Sequence, residues 1–365
     1  MAIKIDLDSK SGVPFHRQII DQIKDAIATG SLKQGDPLPT VRQLAVDLSV
    51  NPNSVSRAYS ELELTGLIET HMGSGTFVGR VDKQDLARAK LLKRLLDEEL
   101  ALKELELARD IQRRLLPPAR VVGRGFTVVA RSEPARFVGG DFYDVLRPSD
   151  GGVGVVVADV AGKGIGASLI MASVKAMMPF VAAERSVEET LRELNRHLHS
   201  ELGCRPRGPR TFVALAYARF DPATRRLWLA NAGLPDPYRL RGDADPEVIA
   251  VPGERLPLGM RAEVAYESCE LELGCGEWLL LLSDGIPEAR RMSGDPLGYE
   301  TLEKLLDRGV EGPGEAWLDA LLEQVRELSV PEPVDDWTAV LLESRGRGCL
   351  GRVGASPRPG GRVGG

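Results

Sequence analysis

Apolar and polar positions alternate with three different periods along the chain. In PFHRQIIDQIKDAIATGSL the apolar side chains recur every three or four residues, which predicts a helix that ends at Gly30. PTVRQLAVDL predicts a second, short helix, and a third begins at Pro52 after Asn51, a residue type that caps helix N-termini. GLIETHMGSGTFVG alternates around glycines, so we expect two short strands forming a wing. Residues 1–80 therefore predict one compact unit. Its first helical stripe comprises Phe15, Ile19, Ile20, Ile23 and Ile27.

Residues 81–117 predict one long helix. No Gly or Pro occurs before Pro117, which together with Pro118 ends the pattern. The leucines at coiled-coil spacing are Leu91, Leu95, Leu102 and Leu105. Glu98 occupies the position that would complete the series. Two interpretations stay open: a coiled coil with a second copy of the chain, which would make a homodimer, or a helix packed on its own domain.

Residues 118–343 alternate apolar segments with amphipathic ones. The strand-like segments are FTVVARS, GVGVVVADV, TFVALAYARF, LWLANAG, EWLLLLSDG and DWTAVLLES. SVEETLRELNRHLHSEL and EAWLDALLEQVREL predict amphipathic helices. Many strands with few crossover-spaced helices indicate an α+β fold and not a doubly wound sheet. Residues 344–365 are rich in Arg, Gly and Pro, which predicts a disordered tail.

Composition narrows the classes of function. The 365 residues carry a net charge of −6, so any DNA contact has to come from a local surface. Four cysteines without CxxC spacing argue against a disulfide framework or a zinc site. The polar N-terminus and the lack of a membrane-length apolar run predict a cytoplasmic protein with no membrane partner.

The stretch VVVADVAGKGIGASLIM is similar in composition to a nucleotide-binding loop, but the spacing of its glycines and lysine does not match one. A P-loop needs Ser or Thr after its lysine, and here Lys163 is followed by Gly164. Gly162, Gly164 and Gly166 form GxGxG, whereas a dinucleotide fingerprint needs GxGxxG. What remains is Asp159 at the end of an apolar strand. An ionised carboxylate there needs a partner, and we expect that partner to be a cation.

Acidic residues recur at the ends of other predicted strands. Asp141 and Asp144 follow two glycines in VGGDFYDV, Asp284 ends an apolar strand, and Asp335 and Asp336 precede another. A turn or helix cap is the commoner explanation for any one of them, but four such sites together favour a single convergent centre. Carboxylate oxygens without His or Cys select Mg²⁺ or Mn²⁺ over zinc. A pair of such ions is the chemistry of phosphoester hydrolysis.

The motifs VGGDFYDV, ADVAGKGIGASLIM, NAGLPDP, LPLGM, LLLLSDGIPEA and DDWTAVLL resemble those of the metal-dependent PPM serine/threonine phosphatases. The similarity is strongest to the bacterial SpoIIE/RsbU-type branch and covers roughly residues 106–342, including the lead-in LARDIQRRLLPP. The resemblance implies an αββα β-sandwich with two Mn²⁺ or Mg²⁺ ions at its edge. It also implies phosphoserine/phosphothreonine protein phosphatase activity, with phosphorylated anti-anti-sigma-factor domains as the usual substrate class.

The resemblance further implies roles for individual residues. The catalytic residues would be Asp141, Asp159, Asp284 and Asp335, and the metal ligands would add Val160 and Asp336. Asp159 would bridge both ions, Val160 would ligate one through its backbone carbonyl, and Asp284 and Asp335 would hold the other. Asp141 would act through a metal-bound water, and Asp336 is the weaker carboxylate candidate.

Two positions depart from the family pattern. Leu234 stands where His commonly follows NAG, and Ala214 stands where Thr commonly follows FV. Neither position is a metal ligand in the pattern. We therefore expect altered substrate contacts and retained catalysis.

Residues 14–78 resemble the winged helix-turn-helix of GntR-type bacterial regulators, which implies DNA binding. The residues that would reach the major groove from the third helix are Asn53, Ser54, Ser56 and Arg57. The residues that would contact phosphates or the minor groove are Arg42, His71, Gly73, Ser74 and Gly75. The alternative is a winged helix used for protein interaction or dimerisation.

The main hypothesis is a dimeric, Mn²⁺- or Mg²⁺-dependent protein phosphatase joined by a helical linker to a DNA-binding winged helix. It would regulate transcription or a partner-switching sigma-factor pathway. The alternative is a GntR-type transcriptional regulator whose phosphatase-like domain only binds a ligand or a protein. The four intact aspartates argue against that alternative, because a binding scaffold does not need them all.

Overall fold

The structure is a computed structural model that describes residues 5–8, 11–71, 74–79, 83–202, 211–242, 244–307 and 312–346. The chain divides into two compact units, Met1–Lys103 and Glu104–Gly365. The predicted tail lies outside the described residues from position 347 onward. Within the described residues, no helix is long and apolar enough to cross a bilayer.

The first unit is a three-helix body with a small antiparallel sheet. Its elements are α1 (Phe15–Ala28), β1 (Pro37–Leu38), α2 (Val41–Asp47), α3 (Pro52–Leu64), β2 (Ile68–His71) and β3 (Gly75–Val78). The strands lie in the order β1-β3-β2, and β2 and β3 form the predicted wing. Asn51 caps α3, since its side chain accepts from the Asn53 N–H at 2.8 Å. The predicted helices and wing are confirmed; the two-residue β1 is too short to produce an alternating pattern.

The core of the first unit uses the apolar stripe of α1. Ile19, Ile20 and Ile23 are fully buried and share a cluster with Val55 and Leu62 of α3. Phe15, which the stripe included, is exposed. It is the first residue of the helix and lies beyond the edge of the cluster.

One continuous helix, α4 (Lys83–Leu115), follows the wing, as the sequence predicts; it begins in the first unit and ends in the second. Leu91, Leu95 and Leu102 are exposed along it. Ion pairs at i,i+4 spacing lie along the helix, and one of them, Arg94–Glu98 at 2.9 Å, involves the residue that interrupts the leucine series. Pairing with a second copy stays a prediction.

Within the described residues, the second unit contains two large sheets and, besides the end of α4, four helices. Its strands are β4 (Arg120–Gly123), β5 (Phe126–Glu133), β6 (Phe142–Leu146), β7 (Val153–Val160), β8 (Val213–Asp221), β9 (Arg226–Ala232), β10 (Tyr238–Arg241), β11 (Ala244–Val248), β12 (Ser268–Glu272), β13 (Trp278–Leu282) and β14 (Trp337–Ser344). Its helices are α5 (Ile165–Val181), α6 (Val187–Leu202), α7 (Tyr299–Leu306) and α8 (Gly314–Leu328). One sheet has the order β11-β10-β13-β14-β5-β4 and the other β12-β9-β8-β7-β6, with antiparallel pairing throughout.

The two sheets pack face to face, and each carries helices on its outer face. In β7, Val155 and Val157 enter the cluster between the sheets, while Val156 and Ala158 enter the cluster formed with α5 and α6. A strand buried on both faces has a continuous apolar run, which accounts for GVGVVVADV. The α7 and α8 helices cover the opposite sheet. This four-layer αββα arrangement confirms the predicted fold.

Antiparallel pairing brings the acidic segments to strand ends that are neighbours. The β6–β7 register pairs Phe142 with Ala158, so Asp141 and Asp159 lie at the same end of one sheet. In the other sheet, Leu282 at the end of β13 pairs with Ala339 near the start of β14. That register places the segment after β13 beside the segment before β14.

Candidate metal centre and nucleic-acid interface

Four of the predicted aspartates form one electrostatically coupled group. Burial raises the pKa of Asp141 well above its usual range, and the charge of Asp159 raises it further. Burial, followed by the charge of Asp284, raises the pKa of Asp159 to about 7, and Asp335 contributes to that shift. Burial and the charges of Glu288 and Asp335 raise the pKa of Asp284. Asp141, Asp159 and Asp284, which come from both sheets, are therefore close enough to neighbouring carboxylates for their own ionised forms to be disfavoured.

The donor set fits a cation. Oδ2 of Asp141 is buried and has no hydrogen-bond partner among the described residues. A buried carboxylate oxygen without a donor is costly, and a metal ion would satisfy it. In the part of the chain that the structure describes, no three Asp, Glu, His or Cys side chains are already gathered into a ligand set for one ion. Repulsion between like charges opposes such a set until a cation is present.

Lys163 forms an ion pair with Asp335, one of the predicted metal ligands. Its Nζ lies 3.1 Å from Oδ2 of Asp335 and also donates to the backbone carbonyl of Val334. The lysine comes from the GKG segment between β7 and α5, a motif of the phosphatase resemblance in which no role was predicted for the lysine itself. Its charge at this position is a feature that motif spacing did not reveal.

Backbone carbonyls and glycines complete the centre. A Cβ on Gly140 would lie 2.6 Å from the carbonyl oxygen of Val160, so only glycine lets these two segments approach this closely. Gly285 has the same constraint, because its Cβ would lie 2.1 Å from the carbonyl oxygen of Asp336. The Val160 carbonyl predicted as a ligand therefore lies directly beside the residue that precedes Asp141.

The Asp336 carboxylate accepts hydrogen bonds from backbone N–H groups. Oδ1 accepts from the Ala135 N–H at 2.7 Å, and Oδ2 accepts from Gly140 at 2.7 Å and Asp141 at 3.4 Å. Both oxygens are thus engaged in shaping the segment that leads into Asp141. The sequence prediction made Asp336 a weaker metal ligand; the geometry gives it a positioning contact.

Asp144 lies outside this centre. Its carboxylate pairs with Lys175 of α5 at 2.6 Å, and both side chains are largely buried. The pair connects β6 to the helix that covers its sheet. Asp144 does not contribute to the pKa shifts of Asp141, Asp159 or Asp284, so we assign it to the packing of α5 on β6.

The two departures from the family pattern lie beside the centre. Ala214 on β8 is the register partner of Asp159, and its side chain is buried between the sheets. Leu234 lines a cavity of about 540 Å³ whose wall includes Asp284 and Arg255. Arg255 pairs with Asp236 at 2.8 Å in that wall. A substrate bound near Asp284 would therefore lie close to Leu234. That Leu234 alters the substrate contacts stays a prediction.

Most of the candidate DNA contacts in the described residues are exposed on the first unit. Asn53, Ser56 and Arg57 are exposed on α3 and Ser54 is half-buried, while Val55 on the opposite side of the helix is fully buried. The remaining candidates in the described residues are Arg42, His71 and Ser74, all exposed, and Gly75, half-buried. Gly73 lies outside the described residues.

An αββα sandwich with coupled aspartates at one edge defines the second unit as a metal-dependent PPM-type serine/threonine phosphatase domain, and the first unit is a winged helix. The chain belongs to the Stage II sporulation protein E (SpoIIE) family, whose model matches residues 149–345, more than half of the chain, and its first unit belongs to the gntR family of bacterial regulatory proteins, whose model matches residues 15–78. Both family resemblances seen in the sequence are confirmed.

Individual relatives match one unit or the other. The "HTH-type transcriptional repressor YtrA" of Bacillus subtilis (strain 168) is 45% identical over 87 residues, which cover 24% of this chain and 67% of that protein. The "Phosphoserine phosphatase RsbU" of the same organism is 25% identical over 243 residues, covering 66% of this chain and 70% of that protein. The solved SiaA-PP2C domain of Pseudomonas aeruginosa has a TM-score of 0.57 and 24% identity, covers 68% of this chain and 98% of that one, and supports the fold.

Proposed function

We propose that the protein is a Mn²⁺- or Mg²⁺-dependent phosphoserine/phosphothreonine protein phosphatase joined to a DNA-binding winged helix. The observation that carries the proposal is the buried, mutually coupled group of aspartates, one of which has a carboxylate oxygen without a hydrogen-bond partner among the described residues. A domain that served only as a scaffold would be more stable with neutral residues at these positions.

Asp159, Asp284, Asp335 and the Val160 carbonyl would hold the two ions, with Asp141 on the same side of the sandwich. Such a pair of ions, when bound, polarises the phosphoryl group and activates water for in-line displacement. Asp336 and the glycines keep the backbone at Asp141 and Val160 in place. Lys163 supplies a positive charge beside Asp335.

The substrate would be a phosphorylated protein. RsbU is named a phosphoserine phosphatase, and its match covers 66% of this chain. On this basis we propose a phosphorylated anti-anti-sigma-factor domain as the substrate class. Regulation of a partner-switching pathway would follow from that choice of substrate.

The winged helix would bind DNA as a homodimer. YtrA is named a transcriptional repressor and is 45% identical across this unit. The exposed leucines of α4 are at the spacing that pairs two helices, and dimeric winged helices read two half-sites of an operator. The dimer, the operator and a cytoplasmic location are parts of the proposal.

The deciding experiment measures Mn²⁺-dependent hydrolysis of a phosphoserine protein substrate by the wild type and by Asp159→Asn. We expect turnover by the wild type and none by the variant, because the variant lacks a carboxylate that would hold both ions. If the folded wild type is inactive at saturating Mn²⁺ and Mg²⁺, the rival hypothesis of a regulator with a ligand-binding domain gains instead.

A gel-shift assay on the DNA upstream of the protein's own coding sequence tests the other half. We expect binding that weakens with salt and is reduced in Arg57→Ala, since Arg57 is an exposed cation on the recognition helix. The matched control is Arg113→Ala, which removes an exposed arginine from α4. Unchanged mobility of wild-type complexes at low salt would favour a winged helix used only for dimerisation.

A further inference from the structure

A cavity of about 540 Å³ opens beside the candidate metal centre, and Asp284 belongs to both. The loop after β9, the start of β10 and the first turns of α7 supply much of the remaining lining. A phosphoserine whose phosphoryl group reached the ions would therefore place a neighbouring residue of its own chain at this cavity. An extended peptide advances about 3.3 Å per residue, so that neighbour lies within a few positions of the phosphoserine.

Part of the lining is aliphatic and aromatic. Leu234 and Tyr238 are buried at the cavity, while Val248 and Tyr299 are exposed along it. Leu234 stands where the family pattern commonly has His, so the lining lacks a side chain that could carry a positive charge there. Such a lining suits the methylene groups of a long side chain, and the faces of tyrosine rings attract a cation.

The rest of the lining carries an excess of negative charge. Glu288 and Glu303 each lack a Lys or Arg within ion-pair distance in the part of the chain that the structure describes. Glu303 accepts a hydrogen bond from the Tyr238 hydroxyl at 3.5 Å, which leaves its charge uncompensated. Arg255 is the cationic residue of the lining, and its guanidinium is paired with Asp236 at 2.8 Å. Two carboxylates therefore remain for a cation from outside.

We propose that this cavity binds the side chain of an arginine or lysine that lies close to the phosphoserine in the substrate protein. The methylene groups pack on Leu234, and the charged head group pairs with Glu303 and Glu288. An unpaired carboxylate selects a cationic residue because only a cation forms a charge-assisted hydrogen bond with it, and an acidic residue is repelled. The inference rests on the proposed function, because it takes a phosphorylated protein as the substrate.

The test uses peptides in which a single arginine is moved stepwise through the positions that flank the phosphoserine. Each arginine peptide is matched by one with citrulline, which has the same shape and no charge. The Kd is measured with fluorescently labelled peptides, using a non-hydrolysable phosphonate in Mn²⁺ and the unphosphorylated sequence in EDTA. The phosphoserine peptides give kcat/KM.

Glu303→Gln in the full-length protein removes one charge from the cavity. Glutamine keeps the length of the side chain and an oxygen that can still accept from Tyr238. The matched control is Glu300→Gln, because Glu300 lies on the same helix, is exposed and pairs with Lys304 at 2.6 Å outside the cavity. Both variants lose the same charge, so a general electrostatic effect would appear in both.

At one position of the arginine we expect the wild type to bind the arginine peptide about five- to tenfold more tightly than the citrulline peptide, as for one partly exposed charge-assisted contact. The ratio of the two kcat/KM values should show the same preference. Glu303→Gln should reduce the ratio to about twofold and leave the affinity for the citrulline peptide unchanged, since Glu288 remains. Glu300→Gln should keep the wild-type ratio.

The outcomes separate this inference from the proposed function. Equal Kd values for the arginine and citrulline peptides at every position would overturn the inference. A preference that is as large in Glu303→Gln as in the wild type would place its origin outside the cavity and overturn the inference as well. A wild type that prefers arginine in binding but hydrolyses none of the peptides would refute the phosphatase activity and still support the cation-binding cavity.

Discussion

Asp159→Asn should stabilise the metal-free protein while removing its activity. The native carboxyl has its pKa raised from 3.8 to about 7, so between those values the native state binds the proton more tightly than the unfolded state. Stability then falls as the pH rises through this window, because the native state has to ionise a buried group beside other carboxylates. Asparagine has no proton to lose and avoids the penalty.

The size of the effect follows from the shift. A shift of about 3 units corresponds to about 4 kcal/mol at 1.36 kcal/mol per unit. Asp141 shares the cost of ionising this buried group. Neutralising Asp159 alone should therefore raise the free energy of unfolding by about 2–4 kcal/mol above pH 7. For a unit of this size that corresponds to an increase in Tm of about 4–16 °C. Below about pH 4 both proteins are neutral at this position, and the difference should disappear.

The assay is thermal or urea unfolding in EDTA at pH 5 and pH 8, repeated with Mn²⁺. With Mn²⁺ the wild type should be more stable than Asp159→Asn, since only the wild type gains stability from a bound ion. The control is Asp150→Asn. Burial opposes ionisation of Asp150, but the Gly152 N–H and Arg219 outweigh it and lower its pKa, so this change should destabilise slightly at pH 8. An Asp159→Asn protein less stable than the wild type in EDTA at pH 8 would refute the reasoning.

Three further changes test the contacts around the centre. Asp336→Ala removes the acceptor of two short backbone N–H bonds and should lower the free energy of unfolding by about 3 kcal/mol, measured by urea denaturation. Lys163→Met removes the cation paired with Asp335 and should tighten Mn²⁺ binding about two- to fivefold in calorimetry without substrate; weaker binding would contradict this. Ala214→Thr places a hydroxyl opposite Asp159 and should lower its pKa, moving the acid limb of the rate–pH profile to lower pH; an unmoved limb would show that the hydroxyl does not reach it.

Much of the fold could be predicted because its strands and helices have strong periodicity. β7, β8, β13 and β14 are long and buried, and each was visible as an apolar run. β11 was not predicted, because its side chains are exposed or half-buried. Its sequence also contains Pro246 and does not alternate apolar with polar residues. Such edge strands form through pairing with a neighbour, which a local pattern does not contain.

The candidate site was predictable as a set of residue types but not as a set of contacts. Strand ends and glycines pointed to Asp141, Asp159 and Asp284, because an acid after an apolar run is conspicuous. By contrast, Asp336 bonds to Gly140 and Gln112 bonds to Gly139, and these hydrogen bonds join residues that are 196 and 27 positions apart in the chain. Neither spacing corresponds to a local periodicity, so only the folded backbone reveals them.

The chemistry of the centre explains why it needs support from so many backbone contacts. Coupled carboxylates repel one another, so the surrounding structure has to hold them together before a cation arrives. Asp336 does this at the segment before Asp141 through hydrogen bonds to backbone N–H groups, although its own charge also raises the pKa of Asp141 and Asp159. Lys163 does the opposite at Asp335, where its ammonium group offsets the repulsion but has to be displaced from the carboxylate. We therefore expect metal affinity to depend on both contacts, because Asp336 fixes the backbone beside Asp141 and Lys163 competes for Asp335.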